Sequence, residues 1–409
     1  MGEQGRRELP RPPRRVPSWA AENAPEPSGP RTTIEPRRRA AVAAAGGAGG
    51  DELPPRFRPR FVLPLVVFVL VLGAAAGWLV RADSLSLDTK DVQEAVGPAV
   101  VRVLATTCEG TGQASGVLLP GGLVLTAASA IRSPISVAVL LQDGAVRRAT
   151  VNGSTSDGVA LLSMAGPVDK PTAGVEQEVP DPKAERAVVA YDLGGEQVVV
   201  PAGTAEQPRE LAGVVDAGAL GAPVVDRKGR LIGVFTGDTV AAGKIVPTAA
   251  LPFARNVTGL FPEPVKTCQS RGPQTPVEPD LAVANTPLAG EVSTALGEYL
   301  DALNQHDFTA MQTTYSTRLR SRSSAKVDAS KHGTSYAFGA VIDKVAASGA
   351  ASDADADMMF TVLFSPTSTQ ANGQTCAQLR IRYHLVREQQ RLRIDGAQTL
   401  ANRSGCDTD

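Results

Sequence analysis

Twenty consecutive residues without a charge, Phe61 to Val80 (FVLPLVVFVLVLGAAAGWLV), constrain this chain more than any other stretch. At about 1.5 Å rise per residue, a helix of that length spans about 30 Å, the thickness of a bilayer's hydrocarbon core. The run therefore predicts one transmembrane helix, with Trp78 near its outer interface and Pro64 tolerated near its start. Its flanks set the direction. Residues 1–60 hold twelve arginines against seven acids, with Arg56, Arg58 and Arg60 pressed against the apolar run and Arg81 the only immediate base beyond it. The positive-inside bias puts the N-terminus in the cytoplasm and residues 81–409 outside a plasma membrane crossed once. A cleaved signal peptide is the competing reading, and a basic leader of this length argues against it.

Residues 1–60 read as a disordered basic tail, since proline, arginine, alanine and glycine leave too few apolar residues to repay ordering. About 320 residues remain outside, enough for two domains. The formal net charge is −1, and the basic excess sits in the tail rather than on a folded domain, which argues against nucleic acid as a partner. Four cysteines, Cys108, Cys268, Cys376 and Cys406, all fall on the outer side. An even number in an oxidising compartment points to two disulfides in one of three connectivities, with four buried thiols as the bland alternative. The favoured pairing joins Cys376 to Cys406, closing a loop of about 30 residues, and Cys108 to Cys268.

After a connector at 81–98, in which Asp88 to Val96 suggests a helical turn or two, residues 99–261 change to short valine- and leucine-rich runs punctuated by glycine. Ala99–Leu104, Ser115–Leu119, Leu123–Ala127, Ser136–Leu141, Ala187–Tyr191, Gln197–Val200, Ala222–Val225 and Leu231–Thr236 are predicted strands. Pro120-Gly121-Gly122, Asp143-Gly144 and Lys228-Gly229 supply turns. Such spacing predicts an antiparallel barrel or sandwich.

Four segments in this region carry a recognisable order: Gly112–Ala130 (GQASGVLLPGGLVLTAASA), Gly158–Leu162 (GVALL), Gly218–Val225 (GALGAPVV) and Gly229–Val234 (GRLIGV). Together they resemble the landmarks of trypsin-like serine proteases, most of all the compact, membrane-anchored and HtrA-type bacterial members. The resemblance spans about 170 residues and implies a double β-barrel. It also implies where catalytic residues should stand, and there the chain departs from the pattern. Ser129 falls where the family places its histidine, Gly158 falls on the aspartate, and Leu220 on the nucleophilic serine.

A serine hydroxyl attacks at neutral pH only when a base takes its proton, and the imidazole needs a carboxylate to hold its tautomer. Between residues 90 and 262 there is no histidine, and no serine follows Ser163. Asp157, beside the vacant position, has no imidazole to orient and reads as a turn residue. Cys108 is better explained by a disulfide than as a nucleophile. Amides near Gly218 and Leu220 could still form an oxyanion hole, with nothing to stabilise. A leucine at the nucleophile position should fill the cleft floor, where its burial is worth about 1.5–3 kcal/mol.

Residues 262–287 form a proline-rich linker with Pro262, Pro264, Pro273, Pro276 and Pro279. Beyond it, 288–409 predicts an α+β domain: helices at Glu291–Gln305 and Phe308–Tyr315, then strands at Ser335–Ala346, Met358–Phe364, Ala377–Val386 and Arg391–Ile394. This order resembles the NTF2-like cone fold. Its histidines offer little chemistry: His384 is expected on a solvated sheet face, His306 at a helix end and His332 in a polar loop. Arg380, Arg382, Arg391 and Arg393 are expected to form a solvated basic face, with an anionic ligand or wall polymer as the sharper reading. No cofactor or metal is expected. The whole predicts a membrane-anchored extracytoplasmic pseudoprotease whose cleft binds a peptide or envelope protein without cutting it. The alternatives are residual hydrolase activity through an unconventional group and a sensor signalling through the basic tail.

Overall fold

The computed structural model describes residues 87–176, 180–253, 260–262, 268, 278–349, 353–368, 371–401 and 404–407. The expected tail at 1–60 and membrane helix at 61–80 lie outside the described residues. Among the described residues no helix is long and apolar enough to cross a membrane.

The first half opens with helix α1 (Thr89–Val96), whose Lys90 amide is capped by the Asp88 carboxylate at 2.8 Å. Its buried Val92 and Val96 pack into the β core, so this part of the expected connector belongs to the domain that follows. Six strands then close a barrel in the order β1-β2-β3-β6-β5-β4: β1 (Val100–Thr107), β2 (Thr111–Leu119), β3 (Leu123–Ala127), β4 (Pro134–Leu140), β5 (Val146–Ser154) and β6 (Val159–Met164). Alternation of side chains across each strand sends Val101, Val103 and Ala105 of β1 into one apolar cluster while Val100 joins another.

The second half differs from the expected second closed barrel. β7 (Arg186–Tyr191), β8 (Gln197–Gly203), β9 (Pro223–Val225), β10 (Leu231–Thr236) and β11 (Lys244–Pro247) form an open five-stranded sheet in the order β11-β10-β9-β7-β8. Residues 204–216 make turns instead of a sixth strand. Glycine, alanine and Pro208 there favour turns, and Pro208 lacks an amide donor for a ladder.

The α+β domain begins inside the expected linker, because β12 (Asp280–Leu281) pairs in parallel with β13 (Tyr336–Ser348). Helix α2 (Pro287–Asn304) starts on a Thr286 cap, where Oγ1 accepts the Ala289 amide. Its Val292, Leu296, Leu300 and Leu303 stripe meets the inner face of the sheet. Helices α3 (Phe308–Thr313), α4 (Thr317–Arg320) and α5 (Ala325–His332) follow, then β14 (Asp353–Leu363), β15 (Cys376–Glu388), β16 (Arg391–Thr399) and β17 (Ser404–Gly405).

On β15, Arg382 binds Asp357 at 2.6 Å, Arg380 binds Asp343 at 2.8 Å and His384 meets Asp355 at 2.8 Å. Much of the basic face expected to be open to water or an anion is therefore neutralised by acids on β13 and β14, the latter pairing directly with β15. The Arg382 guanidinium holds the Asp357 carboxyl below its ordinary range.

The barrel and the α+β domain are joined. Leu104, Ala138 and Val146 of the barrel share an apolar cluster with Tyr336, Phe338, Leu363, Cys376 and Cys406. The Arg148 amide donates to the Cys406 carbonyl at 2.8 Å, and its side chain binds Asp407 at 2.8 Å. Disulfides link Cys376 to Cys406 and Cys108 to Cys268, with Cα separations of 5.6 and 5.8 Å. The first of these braces the joint. The double variant Cys376→Ser/Cys406→Ser, which opens a loop of sequence separation 30, should lower the unfolding free energy by about 3–4 kcal/mol, read from guanidinium denaturation of the oxidised protein.

Candidate functional site

The three positions that matter are set by three short backbone features. Ser129 lies in a 3-10 turn, Ala128–Ile131, that ends β3, and its hydroxyl donates to the Gly237 carbonyl at 2.8 Å. Gly158 opens β6 with φ +83°, a left-handed conformation that an L side chain adopts only under strain. Its carbonyl accepts the Ala128 amide at 2.9 Å and the Thr236 hydroxyl at 2.6 Å. Leu220 follows a 3-10 turn, Ala217–Ala219, and is 6% exposed.

Ser129 and Gly158 face a common open groove of about 660 Å³, together with Asp157, Asp238, Arg132 and Lys244. Two ion pairs cross it, Arg132 with Asp238 and Lys244 with Asp157, the second at 2.7 Å. Asp157, expected as a plain turn residue, thus ties the two halves together. Both pairs are exposed and contribute little energy. The hydroxyl bonds of Ser129 and Thr236 span the same gap. Leu220 does not line this groove. Instead of filling the cleft floor, its side chain packs with Val188, Ala190, Ala222 and Phe235 on one face of the second sheet.

The backbone around Leu220 keeps its donors to itself. The Gly218 amide donates to the Asp216 carboxylate at 2.9 Å, the Leu220 amide to the Ala217 carbonyl at 3.2 Å, and the Gly221 amide to the Phe235 carbonyl at 2.6 Å. The amides that could have met an oxyanion are therefore already engaged. Asp216, which sequence reasoning passed over, also accepts the Leu193 amide at 2.8 Å.

All three histidines lie in the α+β domain. His306 hydrogen-bonds the Ser335 carbonyl at 2.9 Å and stacks on Phe308. His384 meets Asp355. His332 ends α5 rather than lying in a loop, and burial pushes its pKa down. Between the helices and the sheet stand Tyr299, Tyr315 and Tyr383, with ring centroids 6.3 and 5.9 Å from Tyr299. Burial pushes the Tyr299 hydroxyl up to about 12 and raises Tyr315 and Tyr383 as well.

Residues 114–234 match the family model of the trypsin-like peptidase domain. Among solved structures, the Rv3671c protease of M. tuberculosis in its active form aligns at 23% identity and TM-score 0.35, over 40% of this chain and 84% of that one. An HtrA-type protease, AlgW with a tripeptide, aligns at 21% identity and TM-score 0.34, over 40% of this chain and 60% of that one. A serine endoprotease from Yersinia pestis aligns at 20% identity and TM-score 0.34, over 40% and 64% of the respective chains. No protein of curated function matches the chain by sequence. The barrel-containing half is a trypsin-like peptidase fold.

Placing a histidine, an aspartate and a serine at 129, 158 and 220 should not confer hydrolysis. In Ser129→His/Gly158→Asp/Leu220→Ser, the left-handed backbone at 158 is expected to cost about 1–3 kcal/mol and the cavity at 220 about 2–5 kcal/mol. A lower denaturation midpoint without casein hydrolysis is the expected result.

The tyrosines set an alkaline limit. The folded chain holds the Tyr299 proton from about 10, the ordinary value, to about 12, while the unfolded chain releases it. This contribution is complete below the lower value and is lost as pH rises through the interval. Denaturation midpoints should fall there, and fall less in Tyr299→Phe.

Proposed function

We propose that this chain is a membrane-anchored, extracytoplasmic pseudoprotease, a trypsin-like domain that recognises a partner without cutting it. The observation that carries this reading is the self-satisfied backbone at Gly218 and Leu220, with the Leu220 side chain turned into the core. In subtilisin, loss of the catalytic triad removes about 10⁶ of the rate. Here the amides that would keep the residual catalysis are occupied too.

The α+β domain, read as an NTF2-like cone, serves in this proposal as a rigid companion rather than a second active site. Its interior is occupied by tyrosines. The anchor is the 61–80 segment and the basic tail its cytoplasmic end, which places recognition at the outer face of a bacterial cell envelope.

Incubating the full chain in detergent micelles with a fluorophosphonate probe and with unfolded casein tests the proposal. No specific labelling and no cleavage are expected. Labelling at one residue, or cleavage abolished by a single substitution in the groove, would overturn it in favour of a hydrolase with an unconventional nucleophile.

A further inference from the structure

Away from the groove, the open sheet leaves an edge. β8 is its last strand, and among the described residues no strand lies beyond it; only a single bridge from Pro208 to Gly203, with the Arg209 amide on the Ala202 carbonyl at 3.0 Å, covers its far end. Val198 and Val200 face one side of β8 and line a cavity of about 450 Å³ with Tyr191, Val214, Val215 and Ala219. Two of the six exposed large apolar side chains among the described residues belong to this place. Val214, 57% exposed, lines the cavity, and Leu193, 50% exposed, follows the lining residue Asp192. The joint between the halves is built from β1, β4 and β5, none of which contributes to this lining.

Charge gives the cavity a sign. Residues 185–216 carry six carboxylates, Glu185, Asp192, Glu196, Glu206, Glu210 and Asp216, against Arg186 and Arg209, and one further base, Arg102 of β1, reaches the Leu193 carbonyl and faces Asp192, so acids still prevail. Asp192 and Asp216 stand in the lining, and Glu196 and Glu210 are exposed. A sheet edge beside an apolar cavity is the geometry on which an extended peptide adds as a further strand, with main-chain bonds giving affinity and alternate side chains entering the cavity. Pro201 has no N–H, so the ladder ends there and only about four residues, Gln197 to Val200, can pair.

We propose that this edge docks a short extended segment of a partner protein, apolar at its centre and flanked by lysine or arginine. The proposal deepens the pseudoprotease reading by naming a surface and partner chemistry, and it places that surface outside the former catalytic groove.

The probe is a labelled, end-capped peptide of lysine-valine-leucine-valine-lysine, titrated by fluorescence anisotropy into the full chain in detergent micelles. Glutamate-flanked and lysine-flanked all-serine peptides are the controls. The lysine-valine peptide should bind at least tenfold more tightly than either. Val214→Glu should weaken it at least tenfold, and Glu196→Lys/Glu210→Lys should reverse the preference toward the glutamate-flanked peptide. All these side chains are exposed, so unchanged circular dichroism and melting are expected. Undetectable binding, equal binding of the serine peptide, or affinity indifferent to both variants would overturn the docking site. Cleavage of a bound peptide would contradict the pseudoprotease reading and leave the docking site standing.

Discussion

One buried hydroxyl fixes the geometry on which segment 218–221 depends. Ser115 on β2 is 0% exposed. Its Oγ donates to the Gly218 carbonyl at 2.7 Å and accepts the Tyr191 amide at 2.7 Å. Its amide donates to the Leu220 carbonyl at 2.9 Å, and its carbonyl accepts the Thr126 hydroxyl at 2.6 Å. A buried hydroxyl left unsatisfied costs about 1–3 kcal/mol, so this crossing point holds the barrel and the sheet in one relation. The approach is at backbone distance: a Cβ on Gly221 would lie 2.3 Å from the Ser115 carbonyl and 2.5 Å from the Ala127 amide. With that side closed, the Leu220 side chain packs on the sheet.

The consequence is a cleft rich in polar groups. Two ion pairs cross the gap, the Ser129 and Thr236 hydroxyls bond backbone carbonyls, and the amides around Leu220 have internal acceptors. On the pseudoprotease reading proposed above, such a site lacks the two things acyl transfer needs, a proton acceptor beside a nucleophile and free donors aimed at developing charge. What it gains is rigidity between the halves, and rigid surfaces suit recognition because little freedom is lost on binding. The α+β domain adds to this by clamping β5 through the Arg148 contacts with Cys406 and Asp407.

Local pattern was the most legible layer. Leu123–Ala127 and Leu231–Thr236 stand where glycine-bounded apolar runs placed them. β5 escaped notice because its VRRATVNGS run alternates weakly and ends in Asn152 and Gly153. β11 has only four residues. α4 and α5 lack an apolar stripe and are announced only by their Ser316 and Ser324 caps. The neutralised arginines could not be read from β15 alone, because their acids sit on β13 and β14 and pair only once register is set. Ser129, Gly158 and Leu220 could be read straight from the motifs, at the places where the resemblance expects a histidine, an aspartate and a serine. The occupied amides were not, since they depend on Asp216 and on a 3-10 turn in an alanine-glycine run with no distinctive periodicity.

Site-resolved amide hydrogen exchange at Gly218 and Leu220 in the full chain tests the central claim most directly. If both amides are held by internal acceptors, they should be protected to a degree approaching the neighbouring β9 amides and should not respond to an added peptidyl phosphonate. Exchange near the rate of an unstructured peptide, with protection appearing only when the phosphonate is present, would reveal a working oxyanion hole and contradict the account.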